Sequence, residues 1–353
     1  MASGLDGVVA AETILSHTDR TNGMVWVRGH DLPTLLREHG FEGTIALLWN
    51  GFAGDGLARV GISRALGQAR ATAHDELPAW LPGAAGRPLF EAVRIALATQ
   101  PDSAEATALL GALTVAIPAL VRQQGGLPPV APDPALSTAA DLLRMLHGTA
   151  SDPANAAALD TYFTVMAESG LSASAFTARI VASTGASLSA SVVAAWCAFT
   201  GALHGGAPGP TLDLLDAAEA VPDLVPWLEA KFRSGERLMG FGHRVFHGND
   251  PRAEAIRRAL QAMGPQSQRL ALAERLEKAV AVAIDRVKPG RILPPNVEIM
   301  AALLLDAVGI PRDAFTPVFA VGRGAGWLAH AMEQQKTGRM IRPTSAYVGP
   351  PIG

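Results

Sequence analysis

The amino-acid sequence predicts an all-α fold, and two observations lead to this prediction. The 353-residue chain is 49% hydrophobic but only 5% aromatic, and much of the hydrophobic part is alanine. Alanine favours helices, whereas strands favour β-branched and aromatic residues, so this composition predicts closely packed helices. Apolar residues also recur at spacings of three and four along most of the chain, as they do in amphipathic helices.

The first thirty residues are expected to be irregular or strand-like. Asn22-Gly23 is a turn signal followed by the strand-like segment 24–28, which predicts a small hairpin. The first helix should run through 31–49. Further helices are predicted at 88–100, 103–123, 135–147, 155–167, 211–220, 222–233, 253–263, 265–287, 297–308 and 314–337. Two proline-rich breaks interrupt this series, at 125–134 and 288–296.

Charge and cysteine content exclude several classes of protein. A net charge of -3 gives no general attraction to nucleic acid or to an acidic membrane. The single Cys197 excludes an intrachain disulfide and a cysteine-cluster metal site. The uncharged stretch between Arg179 and Asp213 is long enough for a bilayer, but its Ser, Thr and Gly content favours one buried core helix followed by a glycine-rich turn. Because the N-terminus lacks the basic region of a signal peptide, we expect a soluble cytoplasmic protein.

Two loops carry histidines that are candidates for chemistry. His204 lies in GALHGGAPG, between an apolar run and glycines that permit close approach of a ligand. The same pattern is also typical of a glycine-capped helix end. His243 precedes Asp250, which is a good helix cap, and Arg252 then falls in a first turn where the helix dipole disfavours a cation. Arg252 should therefore either meet a bound anion or extend into solvent.

Two further helices carry charged candidates. Glu298 follows the potential cap Asn296, so the helix dipole should keep its carboxylate ionised, either as an ordinary first-turn acid or as a base. Arg323, Trp327 and His330 share one helical stripe, and the glycines around Arg323 leave its neighbourhood open to close approach. A buried lone charge is costly, so Arg323 should pair with a carboxylate of the protein or of a substrate.

Taken together, the segments of this chain resemble the citrate synthase family. The likeness runs from about residue 4 to residue 350 and is nearest to the prokaryotic branch, which includes 2-methylcitrate synthases. It is carried by GLDGVVAAET, VRGHDL, ALLWNG, GALHGGA, MGFGHRVF, DPRA, PPNV, GIP with AFTPVFAVGR and AGWLAH, and RP with YVGP.

The resemblance implies an almost wholly helical homodimer with two domains in each subunit. The large domain is expected at 1–206 and 313–353, and the small domain at 207–312. The implied reaction is a Claisen-type condensation of an acyl-CoA, acetyl- or propionyl-CoA, with oxaloacetate or a related 2-oxo acid, releasing CoA. CoA enters as a thioester co-substrate, and neither a permanent cofactor nor a metal, a nucleic acid or a membrane is expected.

The resemblance also implies a role for each candidate residue. In the family, the histidine matching His204 stabilises the enolate and the one matching His243 donates to the keto oxygen. The acid matching Glu298 removes the α-proton. The carboxylates of the oxo acid are held by arginines that match Arg252, Arg323 and, from the other subunit, Arg342. The acyl-CoA is expected to contact Gly240, Gly242, His247, Pro295 and Asn296.

Three positions depart from the family pattern. The family has PNVD where this chain has PNVE, so the base is Glu298 instead of an aspartate. The family motif HADHELNAS corresponds to MAESGLSAS at 166–174, which puts Ser169 where an oxaloacetate-binding histidine is expected. A basic residue near the CoA phosphates corresponds to His247. We interpret this pattern as a shifted substrate; cleavage of citryl-CoA by a lyase and a non-catalytic CoA- or dicarboxylate-binding role remain alternatives.

Overall fold

The computed structural model describes residues 3–5, 7–19, 22–201, 204–205, 208–242, 250–264 and 268–351. A small antiparallel sheet follows the N-terminus, with strands β1 (Ser16–Asp19), β2 (Met24–Val27) and β3 (His30–Asp31) in that order. His17 is paired with Trp26 across the first two strands, and their rings stack at 5.6 Å. The hairpin predicted at Asn22-Gly23 is therefore confirmed.

Helices make up most of the remaining described chain, which confirms the all-α prediction. Their bounds are α1 Leu32–Thr34, α2 Gly40–Trp49, α3 Arg59–Asp75, α4 Leu77–Trp80, α5 Leu89–Ala98, α6 Ala106–Gln124, α7 Thr138–His147, α8 Pro153–Met166, α9 Ala173–Ser183, α10 Leu188–Phe199, α11 Pro208–Glu219, α12 Leu224–Arg233, α13 Pro251–Ala262, α14 Gln268–Val287, α15 Val297–Ala307 and α16 Phe315–Thr337. A π-helical turn, Leu35–His39, joins α1 to α2. The helices predicted from 88 onward match observed ones to within three residues.

One expectation about the helices is wrong. The uncharged stretch after Arg179 does not form one core helix, because α9 and α10 are separate. Gly185 has φ of 82° and ends α9, while the Ser187 side chain accepts a hydrogen bond from Ala190 N and begins α10. Glycine tolerates the left-handed conformation and serine is a good N-cap, so these two residues divide the apolar run.

Among the described residues, one helix is long and apolar enough to cross a membrane by length and composition alone. This helix is α6, and 72% of its apolar window is buried inside the protein. It packs against α3, α5, α7 and α16, as a core helix does.

Helix α16 forms the centre of the fold. Its residues from Phe315 to Gln334 are buried except for the half-buried Phe319, and it packs against α2, α6, α8, α9 and α10. The glycines beside Arg323 allow other parts of the chain to pack closely against α16. A Cβ on Gly326 would lie 2.4 Å from the carbonyl oxygen of Ala167. The glycines therefore do allow close approach beside Arg323, and at Gly326 it is the chain after α8 that approaches.

A second group of helices, α11 to α15, covers most of the segment predicted as a small domain. Within this group α12 packs on α14, while α11 and α13 pack on α15. Both α13 and α15 also contact α8, which itself packs against α16. The first turns of α13 and α15 carry Arg252 and Glu298. The division into two domains stays a prediction.

Candidate active site

His204 lies in the turn after α10. Its backbone N–H donates to the Gly201 carbonyl at 2.9 Å, and Gly205 N donates to the Phe199 carbonyl at 2.8 Å. A Cβ on Gly205 would lie 2.5 Å from that carbonyl oxygen, so the turn requires glycine. The edge of the imidazole meets the ring of Phe199 with centroids 5.2 Å apart. Glycine therefore closes the helix end and fixes the histidine at the same time.

Ser174 determines which nitrogen of His204 carries the proton. Both the backbone N–H and the hydroxyl of Ser174 lie within hydrogen-bond distance of Nε2, at 3.2 and 2.8 Å. A backbone N–H can only donate, so Nε2 accepts and the proton of the neutral ring lies on Nδ1. Trp327 Nε1 donates to the Ser174 hydroxyl at 3.0 Å, which leaves the hydroxyl hydrogen for the imidazole.

His204 is a neutral hydrogen-bond donor at neutral pH. Burial lowers the pKa of His204 to about 4, and the charge of Arg323 acts in the same direction. Nδ1 makes no hydrogen bond with the described residues. A fixed neutral donor of this kind can stabilise negative charge that develops on an oxygen during a reaction.

Arg323 is buried in α16 without a protein carboxylate as a direct partner. Its side chain is 5% exposed, Nε donates to the Met166 carbonyl at 2.8 Å, and the guanidinium lies 5.0 Å from the centre of the Phe319 ring. Burial lowers the pKa of Arg323 to about 10, so it remains charged at neutral pH. No carboxylate of the described residues forms an ion pair with it. A substrate carboxylate as the direct partner of Arg323 stays a prediction.

Glu298 lies in the first turn of α15, where the Asn296 side chain caps the helix by accepting from Glu298 N at 3.0 Å. Asn296 Nδ2 also lies 3.4 Å from the carboxylate. Burial raises the pKa of Glu298, while Asn296 and the charges of Arg237 and Arg252 lower it by less. Burial is thus the largest influence on the pKa of Glu298, and a raised pKa makes a carboxylate a stronger base.

Arg252 is not a solvated surface arginine. It is 8% exposed, and its Nε and Nη2 donate to the two carboxylate oxygens of Asp250 at 3.0 and 2.8 Å. Asp250 also caps α13 by accepting from Arg252 N. The solvent alternative for Arg252 is therefore wrong. Its role as a contact for a bound anion stays a prediction.

Electrostatic effects connect these residues across the sequence. The charge of Arg323 lowers the pKa of His204, and the charge of Arg252 lowers that of Arg323. Arg252 also lowers the pKa of Glu298. The charges of four residues therefore influence one another, and we call these residues one cluster: Arg252 on α13, Glu298 on α15, Arg323 on α16 and His204 in the turn after α10. The cluster combines a neutral donor, a half-buried carboxylate and two cations.

The segments predicted to contact CoA lie side by side. Asn296 N donates to the Gly240 carbonyl at 2.9 Å, and Asn296 Nδ2 donates to the Gly242 carbonyl at 3.0 Å. Phe241 and Pro295 form an antiparallel bridge between the two segments. Gly240 has φ of 82°, and a Cβ there would lie 2.9 Å from a Thr211 methyl group, so it must be glycine.

A cavity of about 510 Å³ lies beside these segments. One wall of the cavity is formed by Gly242, a candidate CoA contact, and by Pro294, which precedes the candidate Pro295. Its remaining walls combine cationic and apolar side chains, from Arg237, Lys288, Arg291, Phe232, Phe241, Ile284, Ile292 and Leu293, with Gly235, Glu236 and Leu238. This cavity was not predicted from the sequence, although the charges in KPGRILPPN were a signal for it.

Two other described candidates, Ser169 and Arg342, are not connected with this cluster by any contact. His243 and His247 lie outside the described residues. Ser169 is half-buried in the connection between α8 and α9. Arg342 is exposed in the irregular tail after α16 and makes no hydrogen bond or ion pair with the rest of the described chain. No group of three or more His, Cys, Asp or Glu side chains in the described ranges could hold a metal ion.

Two residues that support the site were not singled out from the sequence. Ser174 fixes the tautomer of His204, and its position within MAESGLSAS, which matches the last serine of HADHELNAS, was a usable signal. Glu168, in the same segment, is 3% exposed and bonded to His330 at 3.1 Å. Its burial had no signal in the sequence, because a lone glutamate after a helix is usually solvated.

Comparisons with known proteins agree with the fold and the motifs. A family model described as "Citrate synthase, C-terminal domain" matches residues 4–344. A putative citrate synthase 2 from Mycobacterium tuberculosis is 34% identical over 98% of this chain and 92% of its own length. A 2-methylcitrate synthase from the same species is 32% identical over 98% of this chain and 90% of its own length.

Solved structures give the same result. A citrate synthase from Thermotoga maritima is 28% identical and superimposes with a TM-score of 0.87 over 99% of this chain and 96% of that chain. A citrate synthase from Thermoplasma acidophilum, in a ternary complex with carboxymethyl coenzyme A and oxaloacetate, has a TM-score of 0.86 at 21% identity, covering 100% of this chain and 97% of that one. The resemblance stated from the motifs is therefore confirmed, and this chain belongs to the citrate synthase family.

Proposed function

We propose that this protein is an enzyme that joins the acyl group of an acyl-CoA to the keto carbon of a 2-oxo acid and releases CoA. Acetyl-CoA or propionyl-CoA and oxaloacetate or a related 2-oxo acid are the proposed substrates. The observation that carries the proposal is the neutral His204 with its donor at Nδ1, held in one electrostatic cluster with the half-buried carboxylate of Glu298 and the guanidinium of Arg323, which has no carboxylate partner among the described residues.

The first step is removal of a proton from the α-carbon of the thioester. Glu298 takes this proton, and the negative charge that moves onto the thioester oxygen is stabilised by the Nδ1–H of His204. A neutral donor suits this role because it need not lose a proton to the enolate. The resulting carbon nucleophile attacks the keto carbon, whose oxygen receives a hydrogen bond from His243. Hydrolysis of the condensed thioester then releases CoA.

The two arginines of the cluster are the proposed binding groups for the carboxylates of the 2-oxo acid. Arg323 offers its two Nη groups, since only Nε is bonded to the Met166 carbonyl. Guanidinium groups bind carboxylates through paired hydrogen bonds. Arg252, which is paired with Asp250, supplies a second cation. Arg342 adds the third, from the neighbouring subunit of a homodimer.

The cavity next to Gly242 is the proposed place of the nucleotide part of CoA. Arg237, Lys288 and Arg291 suit the phosphates, and the apolar walls suit the adenine ring. The bonded segments at Gly240–Gly242 and Pro294–Asn296 lead from the cavity to Glu298. The Thermoplasma protein, which binds a CoA analogue and oxaloacetate together, supports this assignment by its likeness in fold.

The test is thiol release from acetyl-CoA or propionyl-CoA with oxaloacetate. Glu298→Gln should lower kcat by at least about 100-fold and leave acyl-CoA affinity nearly unchanged, because a role confined to the transition state is removed. Glu298→Asp should also be slower, since the shorter side chain places the carboxylate away from the α-carbon. Asp306→Asn, at the other end of α15, is the matched control and should keep its activity.

Exchange of α-deuterons isolates the proposed step. Deuterated acyl-CoA should lose its label to water with the wild type and far more slowly with Glu298→Gln. Equal exchange rates would remove Glu298 from the mechanism. Absence of thiol release with every acyl-CoA and 2-oxo acid pair, in a protein that still binds both, would favour the non-catalytic alternative. Release of acetyl-CoA from citryl-CoA without net condensation would favour the lyase.

A further inference from the structure

The segment Met166–Gly170 lies directly on α16, between Arg323 and His330. Arg323 Nε donates to the Met166 carbonyl at 2.8 Å, and His330 Nε2 lies 3.1 Å from the carboxylate of Glu168. Between these two attachments a Cβ on Gly326 would lie 2.4 Å from the carbonyl oxygen of Ala167 and 2.6 Å from Glu168 Oε2. The segment therefore has no freedom to move away from or toward the helix without breaking these contacts.

Glu168 makes all its hydrogen bonds through one carboxylate oxygen. Oε1 accepts from the Ser16 hydroxyl at 2.8 Å, from Gly170 N at 2.6 Å and from His330. Oε2 makes no hydrogen bond with the described residues. This arrangement matters for a test, because a glutamine can present its single carbonyl oxygen to the same three donors.

The buried network behind Glu168 fixes the proton of His330. Arg179 can only donate, so its contact with His330 Nδ1 at 3.0 Å makes that nitrogen an acceptor. The ring proton is then on Nε2, where it is donated to Glu168. Arg179 is also paired with Glu333, and Ile14 N donates to Glu333 at 2.9 Å. The positive charge of Arg179 is thus already balanced by Glu333, whereas that of Arg323 is not balanced by a direct partner.

Glu168 and Arg323 influence each other without forming an ion pair. The charge of Glu168 raises the pKa of Arg323 against the larger lowering by burial. Burial raises the pKa of Glu168, but its interactions, above all with His330 and with a smaller part from Arg323, lower it by more. Glu168 is therefore ionised and is the carboxylate that partly offsets the charge of Arg323, while the Nη groups remain unbonded.

We propose that Glu168 is a positioning and specificity-determining residue: it fixes the segment Met166–Gly170 on α16, and its negative charge limits how tightly Arg323 holds the carboxylate of the 2-oxo acid. The proposal rests on the proposed function only in that the site takes such an acid. Ser169 belongs to the same segment, so Glu168 also sets its position. A carboxylate beside the binding cation weakens the binding of anions and so favours release of an anionic product.

Glu168→Gln separates the charge of this residue from its hydrogen bonds. The variant keeps an acceptor for Ser16, Gly170 and His330 but loses the negative charge. We expect KM and the dissociation constant for oxaloacetate to fall on the order of tenfold, the size expected for loss of one nearby charge at a partly buried site. Pyruvate, a monoanion, should gain less than oxaloacetate. A purely structural role would predict the opposite, a higher KM together with a lower kcat.

Glu42→Gln is the matched control. Glu42 is also buried, and the hydrogen bond that it accepts from Thr138 N at 2.7 Å can likewise be accepted by a glutamine. The charge of Glu42 does not contribute to the pKa of Arg323. The affinity of the Glu42→Gln variant for oxaloacetate should therefore equal that of the wild type. An unchanged or raised KM in Glu168→Gln, or an equal fall in both variants, would overturn the proposal.

Ser169→Asp covers the case in which Glu168→Gln does not fold. This change adds a negative charge to the same segment at a half-buried position, so the dissociation constant for oxaloacetate should rise on the order of tenfold. An unchanged constant would overturn the proposal. Binding is measured by calorimetry without acyl-CoA, so failure of the proposed condensation would leave this test intact. If wild type binds no 2-oxo acid at all, the proposal is wrong.

Discussion

Replacing Asp160 by asparagine should stabilise the protein at alkaline pH and change little at acidic pH. Asp160, on α8, lies against the start of α2, where Phe41 N donates to its Oδ1 at 3.4 Å. Burial raises the pKa of Asp160 from 3.8 to about 7, and the charge of Glu42 acts in the same direction. The approach of α2 is close, because a Cβ on Gly40 would lie 3.0 Å from Oδ2.

The sign and size of the effect follow from this shift. In the unfolded chain Asp160 loses its proton near its ordinary pKa, whereas in the folded protein it keeps the proton up to about pH 7. The folded state thus binds more protons between about pH 4 and pH 7, and its stability falls as pH rises through this window. A shift of about three units corresponds to about 4 kcal/mol, an upper value because the side chain keeps some contact with solvent.

The assay is thermal and urea unfolding of wild type and Asp160→Asn at about pH 4 and about pH 9. Asparagine can still accept from Phe41 N, so only the ionisation is removed. We expect a stabilisation on the order of 2 to 4 kcal/mol at the higher pH and less than about 1 kcal/mol at the lower. Asp75→Asn, at the exposed end of α3, is the control. Equal effects of Asp160→Asn at both pH values would refute the reasoning.

Three further predictions concern single positions. Tyr162→Phe should raise the melting temperature slightly, since the fully buried hydroxyl has no partner among the described residues and its removal should stabilise by about 1 kcal/mol; a lower melting temperature would mean that water or a ligand satisfies it. Ser169→His should improve the use of oxaloacetate if that acid is native, because a histidine reaches further and can carry charge; loss of turnover with the best substrate would indicate a bulkier one. Mixing Arg342→Ala subunits with His243→Ala subunits should restore activity in the hybrid dimer, and no recovery in a verified heterodimer would argue against a shared site.

Local patterns were sufficient to predict most helices. A buried face that repeats every 3.6 residues is visible within one helix, so α5 to α8 and α11 to α16 could be located from spacing alone. The break between α9 and α10 was missed because Gly185 and Ser187 interrupt a run that is apolar on both sides. In hindsight they are the local signal, a left-handed glycine followed by a serine cap.

The site was predictable only as a set of residues, not as an arrangement. The sequence predicts that Arg323 has a partner. The carbonyl of Met166, to which Arg323 donates, lies 157 positions away, and no spacing rule connects the two residues. The same applies to His204, whose tautomer depends on Ser174. For Glu298 the helix terminus was the visible effect, whereas burial, which depends on the tertiary fold, has the larger influence on its pKa.

At two of the departures from the family pattern, Ser169 and Glu298, the contacts that hold the surrounding chain are intact. Ser169 makes no hydrogen bond with the described residues, yet the segment that carries it is held by Glu168 and by Arg323. Glu298 replaces an aspartate, yet Asn296 still caps its helix. A chain that had lost its chemistry would have no reason to keep a buried arginine without a direct carboxylate partner, because such a charge costs stability unless a ligand offsets it. The arrangement therefore favours a chain that still binds an anionic ligand at Arg323, which both an enzyme with an altered 2-oxo acid and a dicarboxylate-binding relative would do.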